Sequence, residues 1–128
     1  MFEAFQFTNQ QIADYYKSAI RNLATAKKNY ETEVVFVFCY NAILKLAIAV
    51  CAKGGLRVKA RQGHHIELIK KLSEILDNKE IEMIGEEMRS KRNRGLYGSE
   101  VTISEKEALT YLVWTEKIFN DTKYLFQI

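Results

Sequence analysis

The chain has 128 residues, 48% of them hydrophobic and 27% charged, with no proline, six glycines and a formal net charge of +3. That length suits one domain with a genuine core, is too short for two, and has a composition that excludes disorder and fibres. So small a net charge does not imply nucleic-acid binding by itself, whereas the absence of proline favours long uninterrupted helices.

The opening MFEAFQFTNQQ lacks the basic region and apolar run of a signal peptide. A first helix is predicted from Asn9, as its cap, to about Tyr30, because Ile12, Tyr15, Tyr16, Ala19, Leu23, Ala26 and Tyr30 fall on one face. The second runs from about Glu33 to Lys53 and is apolar almost all round. Its hydrophobic run, Val34 to Val50, is interrupted by Asn41 and Lys45, which fits a buried core helix better than a membrane span, so no membrane partner is expected. A helix of this kind suits the centre of a bundle or a subunit interface. Cys39 and Cys51 both lie in it without metal-ligand spacing, so they read as two buried thiols in a reducing, cytoplasmic setting.

Gly54 and Gly55 end the second helix, and they do not form a phosphate-cradling loop, since the lysine of that pattern is absent. Leu56 to Gly63 reads as a loop carrying Arg57, Lys59 and Arg61. A third helix is predicted from His64 to about Asp77 or Asn78, with Ile66, Leu68, Ile69, Leu72, Ile75 and Leu76 as its apolar residues. The fourth begins near Lys79 and reaches an arginine cluster, where Gly95 and Gly98 loosen it. Ser104 with Glu107 forms a capping box that announces the last helix, whose buried face would be Ala108, Tyr111, Leu112, Thr115, Ile118, Phe119, Thr122 and Phe126. Strand alternation is hinted at only in EVTI, Glu100 to Ile103. The expected architecture is all-α: a single domain over residues 1–128, an up-and-down four-helix bundle with an additional short helix.

The unusual stretch is RSKRNRGLYG, Arg89 to Gly98, which ends the fourth helix. Counting from Ile81, the apolar stripe runs Ile81, Ile84, Met88 and then Arg92, since four residues advance the helix by about 400°. Core stripes seldom take arginine. Either its aliphatic stem covers the edge of the core while the guanidinium escapes at the bundle end, or the charge binds an anion. Arg89, Lys91 and Arg94 add positive charge around it, and Asn93 and Tyr97 offer hydrogen bonds to the same group. His64 and His65 diverge by about 100° on a helix and lack an acidic residue at ligand spacing, so no metal is expected. His64 sits at a helix start, where it either caps and packs in the ordinary way or stands beside an anion drawn by the free N–H groups. No cofactor motif is present in the sequence, and none is expected.

With GHH at Gly63 to His65 and Arg92-Asn93 near the end of a late helix, the whole chain resembles HEPN domains (higher eukaryotes and prokaryotes nucleotide-binding). Their signature is an arginine, a polar residue often asparagine, several residues and then a histidine. Here Tyr97 stands at the histidine position. A variant pattern with two arginines three apart and a later tyrosine followed by glycine is matched by Arg89, Arg92, Tyr97 and Gly98, although Leu96 replaces the aspartate that often precedes that tyrosine.

The resemblance implies a homodimer, RNA or nucleotide as ligand, and metal-independent RNA cleavage in the active members, in which arginine holds the scissile phosphate while the 2′-hydroxyl attacks. Carried over, Arg92, Asn93 and Tyr97 are the catalytic candidates, and Arg89, Lys91, Arg94 and His64 the substrate-binding ones. Tyrosine, with an ordinary pKa near 10, is a poor base at neutral pH, so binding is the firmer expectation and cleavage would come from a degenerate site. The alternative is a non-catalytic interaction module in which the second helix or the basic end docks a small nucleotidyltransferase, as in a toxin–antitoxin-like pair.

Overall fold

The computed structural model describes residues 2–59, 63–95 and 102–127. Five helices appear among them: α1 (Asn9–Lys28), α2 (Thr32–Lys53), α3 (His64–Ile75), α4 (Lys79–Gly95) and α5 (Glu105–Thr122), the last running into a 3-10 turn at Lys123–Phe126. The all-helical bundle is as expected. Helix α2 lies at its centre, packed against α1, α3, α4 and α5.

The cap of α1 is Thr8, not Asn9, because the Thr8 hydroxyl accepts from the Gln11 amide at 3.1 Å while the Gln11 side chain accepts from the Thr8 amide at 2.9 Å. The helix also stops earlier than its periodicity indicated. Asn29 turns extended, leaving Tyr30 outside α1 and 97% exposed. The buried part of the stripe is Ala19, Leu23 and Ala26, all small or medium residues that let α1 lie close along α2.

Helix α2 is long and apolar enough to cross a membrane by length and composition, yet 67% of that window is buried inside the bundle. Phe36, Tyr40, Ile43, Leu46 and Ala47 are all 0% exposed. Its apolarity is therefore consumed by packing within one chain, and neither a subunit interface nor a docking surface is needed to account for it. Cys39 and Cys51 are buried and unpaired, and burial pushes both thiols up to about 11, where they stay protonated.

Two short strands correct the expectation of a loop after Gly55. The segments β1 (Phe2–Ala4) and β2 (Leu56–Val58) pair antiparallel, with Glu3 opposite Arg57. Arg57 bonds the Glu3 carboxylate at 2.6 Å and lies 4.3 Å over the Phe5 ring. Three residues are too few to display a period of two. Of the EVTI stretch, residues 100 and 101 lie outside the described residues, and the described remainder is irregular.

The α3–α4 hairpin is tight. Asn78 turns the chain by accepting from the Glu80 amide at 3.1 Å, while its carbonyl takes the Ser73 hydroxyl at 2.7 Å. Gly85 then lets the two helices close: a Cβ there would stand 2.6 Å from Cγ2 of Ile69, itself only 1% exposed. Substituting Gly85→Ala sets a clash of about 1–3 kcal/mol against a helix-propensity gain of about 1 kcal/mol. A net loss of about 1 kcal/mol is expected in urea unfolding; a midpoint equal to the native protein's would show the packing to be looser.

The Ser104–Glu107 capping box opens α5 as its sequence indicates, with reciprocal bonds of 3.1 and 3.3 Å. Trp114, absent from the expected face, is 8% exposed and donates its indole N–H to Glu80 at 2.8 Å. Leu112 and Phe126 are only half-buried, and the Phe126 ring stacks on Tyr16 with centroids 4.0 Å apart.

Candidate functional site

The stripe of α4 carries its arginine to the core's edge. Ile81 and Met88 are 0% exposed, Ile84 is half-buried, and Arg92, one turn beyond Met88, is half-buried as well. Its guanidinium lies over the face of Tyr40 on α2, with Cζ 5.6 Å from the ring centroid. A cation over an aromatic face is stabilised by about 0.5–1 kcal/mol when partly exposed. The contact orients the guanidinium without spending its N–H donors. Among the described residues no carboxylate pairs with Arg92.

Tyr40 joins a third helix to this corner. Its hydroxyl meets Nδ1 of His65, in the first turn of α3, at 3.3 Å. The rings of His64 and His65 approach edge-on with centroids 4.5 Å apart, closer company than their divergence along the helix indicated. His64, the histidine singled out from the sequence, is half-buried beside this cluster, while the residue bonded to Tyr40 is its neighbour. The GHH motif pointed to the pair but could not choose between its members. Among the described residues no group of three or more His, Cys, Asp or Glu is placed to hold a metal.

The four basic residues of the cluster divide into paired and unpaired. Arg89 forks onto Glu86 with contacts of 2.5 to 3.1 Å, a bidentate pair that neutralises most of its charge while leaving it beside Tyr40 and His65. Lys91 points the other way, to α5. Its ammonium bonds Glu107 at 2.8 Å and the Tyr111 hydroxyl at 2.7 Å, with Glu87 at 3.3 Å, and Tyr111 in turn donates a short hydrogen bond to Glu87. Lys91 and Arg89 are two residues apart, about 200° around the helix, which is why they serve opposite sides. Lys91 thus ties α4 to α5 instead of joining Arg92. Asn93 and Arg94 are exposed, and Arg94 has no ion pair among the described residues. Tyr97, with Leu96 and Gly98, lies outside the described residues.

The surroundings set the protonation of each group. Burial pushes the Tyr40 phenol up to about 12 against the opposing pull of Arg92 and Arg89, so it keeps its proton. His65 is moved down, first by burial and then by its neighbours His64, Arg92 and Arg89. A histidine shifted in that direction is neutral at pH 7. For Lys91 burial works against the charge, but hydrogen bonds to Glu107, Tyr111 and Glu87 outweigh it and raise its pKa. The corner at Tyr40 therefore presents one unpaired guanidinium, a neutral imidazole and a phenol that cannot ionise. The guanidinium offers the planar fork of N–H donors that an anion accepts.

A cleft of about 470 Å³ lies on the α5 side of α4, lined by Ile84, Glu87, Lys91, Glu107, Tyr111 and Trp114. Glu87, Lys91, Glu107 and Tyr111 are already bonded to one another, so the cleft is a structural seam between helices, and Arg92 is not part of its lining.

Compared with known proteins, residues 12–125 match the family model of the HEPN domain. No curated protein and no solved structure matches the chain significantly.

Proposed function

The chain belongs to the HEPN domain family, and from that membership we propose that it binds RNA or nucleotides by their phosphates, with Arg92 as the principal grip. The observation that carries this reading is a guanidinium stationed over buried Tyr40 with no acid to neutralise it among the described residues. Arginine's planar fork of donors matches two oxygens of a phosphodiester. Arg94, exposed two residues on and about 200° around the helix, adds long-range attraction, and Arg89 contributes what Glu86 leaves uncancelled. Asn93 supplies an amide beside the grip, and Tyr97 a phenol, in the roles that the family signature gives those positions.

Metal-independent cleavage is the finer form of the proposal. Arg92 would hold the scissile phosphate while the RNA 2′-hydroxyl attacks it, and the 5′-oxygen would leave with a proton, giving a cyclic phosphate end. The two forms separate in one experiment: the purified protein is titrated with a short RNA in chelator over a series of salt concentrations, and the products are then analysed. Binding that weakens steeply with salt is the expected result, and cyclic-phosphate ends extend it to catalysis. Failure of both this RNA and, in a parallel titration, AMP to bind at low salt would refute the proposal. Light scattering on the same sample reads the homodimer that accompanies the family resemblance.

A further inference from the structure

Tyr40 is 0% exposed, and among the described residues its hydroxyl has one hydrogen-bond partner, Nδ1 of His65 at 3.3 Å. A buried phenol that keeps its proton must place it on an acceptor. Among the described residues no buried side-chain nitrogen or oxygen lacks a partner, which leaves Nδ1 as the atom that receives it. The neutral imidazole then carries its own hydrogen on Nε2. Nε2 has no partner among the described residues, so this N–H is turned to solvent in the same corner as Arg92, whose charge acts on both Tyr40 and His65.

We infer that His65, its tautomer fixed by the Tyr40 hydroxyl, is a second donor to the phosphate that Arg92 holds, so that α3 and α4 clamp one anion between an imidazole N–H and a guanidinium. The inference rests on the phosphate-binding reading above and assigns a residue to it that the arginine signature does not contain. A nitrogen that bears hydrogen has no lone pair to offer. His65 Nε2 in this state neither ligates a metal nor takes the proton of an attacking hydroxyl; it gives a hydrogen bond to a non-bridging oxygen. The charged neighbours agree with that role. Glu86 on α4 is occupied by Arg89, and burial, with the charges of Arg92 and Arg89, keeps His65 from charging at neutral pH. Tyr40 acts through His65 and is a positioning residue.

The test uses the full chain, a short RNA oligonucleotide and AMP as probes at neutral pH. His65→Ala should weaken binding about tenfold, the equivalent of one hydrogen bond to a charged group. His65→Gln, which keeps an N–H donor near the position of Nε2, should restore most of that loss. Nitrogen-15 NMR of the imidazole should report the Nε2–H tautomer in the native protein, a shift of that N–H when AMP is added, and mixed tautomers in Tyr40→Phe. Unchanged affinity in His65→Ala while Arg92→Ala loses binding would overturn the clamp and leave the arginine site standing. An Nδ1–H tautomer in the native protein, or an imidazole unmoved by AMP, would overturn it without any variant. Absence of binding by the native protein to either probe would remove the phosphate site and the clamp together.

Discussion

Arg92→Ala should lower RNA affinity by about ten- to a hundredfold, because charge-assisted hydrogen bonds contribute about 1.5–3 kcal/mol and each 1.4 kcal/mol is a factor of about ten. Its stability should hardly change. Among the described residues the guanidinium makes no ion pair, and its position over the Tyr40 ring at 5.6 Å contributes about 0.5–1 kcal/mol. The slope of log affinity against log salt should become shallower by about 0.7, the increment for one phosphate of a single strand. Arg92→Lys keeps the charge but loses the fork, so it should fall between the two. Lys91→Met provides the control: it breaks the α4–α5 tie to Glu107 and Tyr111 and should destabilise the fold while leaving affinity in place. Should Arg92→Ala bind as tightly as the native protein with the same salt slope, the proposed function is wrong.

For Phe36→Ala the expected effect is on the fold, a loss of about 3–5 kcal/mol in equilibrium urea unfolding. Phe36 is 0% exposed on the central helix, and its ring meets the edge of Tyr111 on α5 with centroids 5.3 Å apart. The cavity would open between α2 and α5, beside the same Tyr111 that Lys91 ties to α4. Since domains are stable by only about 5–15 kcal/mol in total, such a loss leaves the variant marginal. Phe36 also stands one helical turn before Tyr40, so the ring under Arg92 should lose support and RNA affinity should fall with stability. Measured loss below about 1 kcal/mol would mean that the α2–α5 core is far less tightly packed than described.

These two substitutions separate grip from scaffold, and the separation runs through the sequence in the same way. Helices were legible wherever the signal is local: the stripe of α1, the unbroken apolarity of α2, and Ser104 with Glu107 three residues on at the start of α5. The placing of Arg92 at the end of the Ile81–Met88 stripe was legible for the same reason, because helical period fixes which side of α4 it occupies. Trp114, three residues after Tyr111 and four before Ile118, is in step with the buried face and was legible there; only the acceptor of its indole N–H, Glu80 of another helix, was not. The β1–β2 pair was missed because three-residue strands carry no periodic pattern and their partners lie more than fifty residues apart.

What the sequence determined by itself, then, is a helical bundle whose fourth helix ends in concentrated positive charge, with a family signature laid across it. Tertiary structure decided which of those charges remain available. Sixteen residues separate Lys91 from Glu107, and twenty-five separate Tyr40 from His65, so no window of local periodicity could show that the lysine is neutralised on one side of α4 while an imidazole meets a buried phenol on the other. Local order follows from backbone geometry and side-chain spacing along one helix; the partner of a charge is set by which faces of different helices pack together, and only the folded chain fixes that.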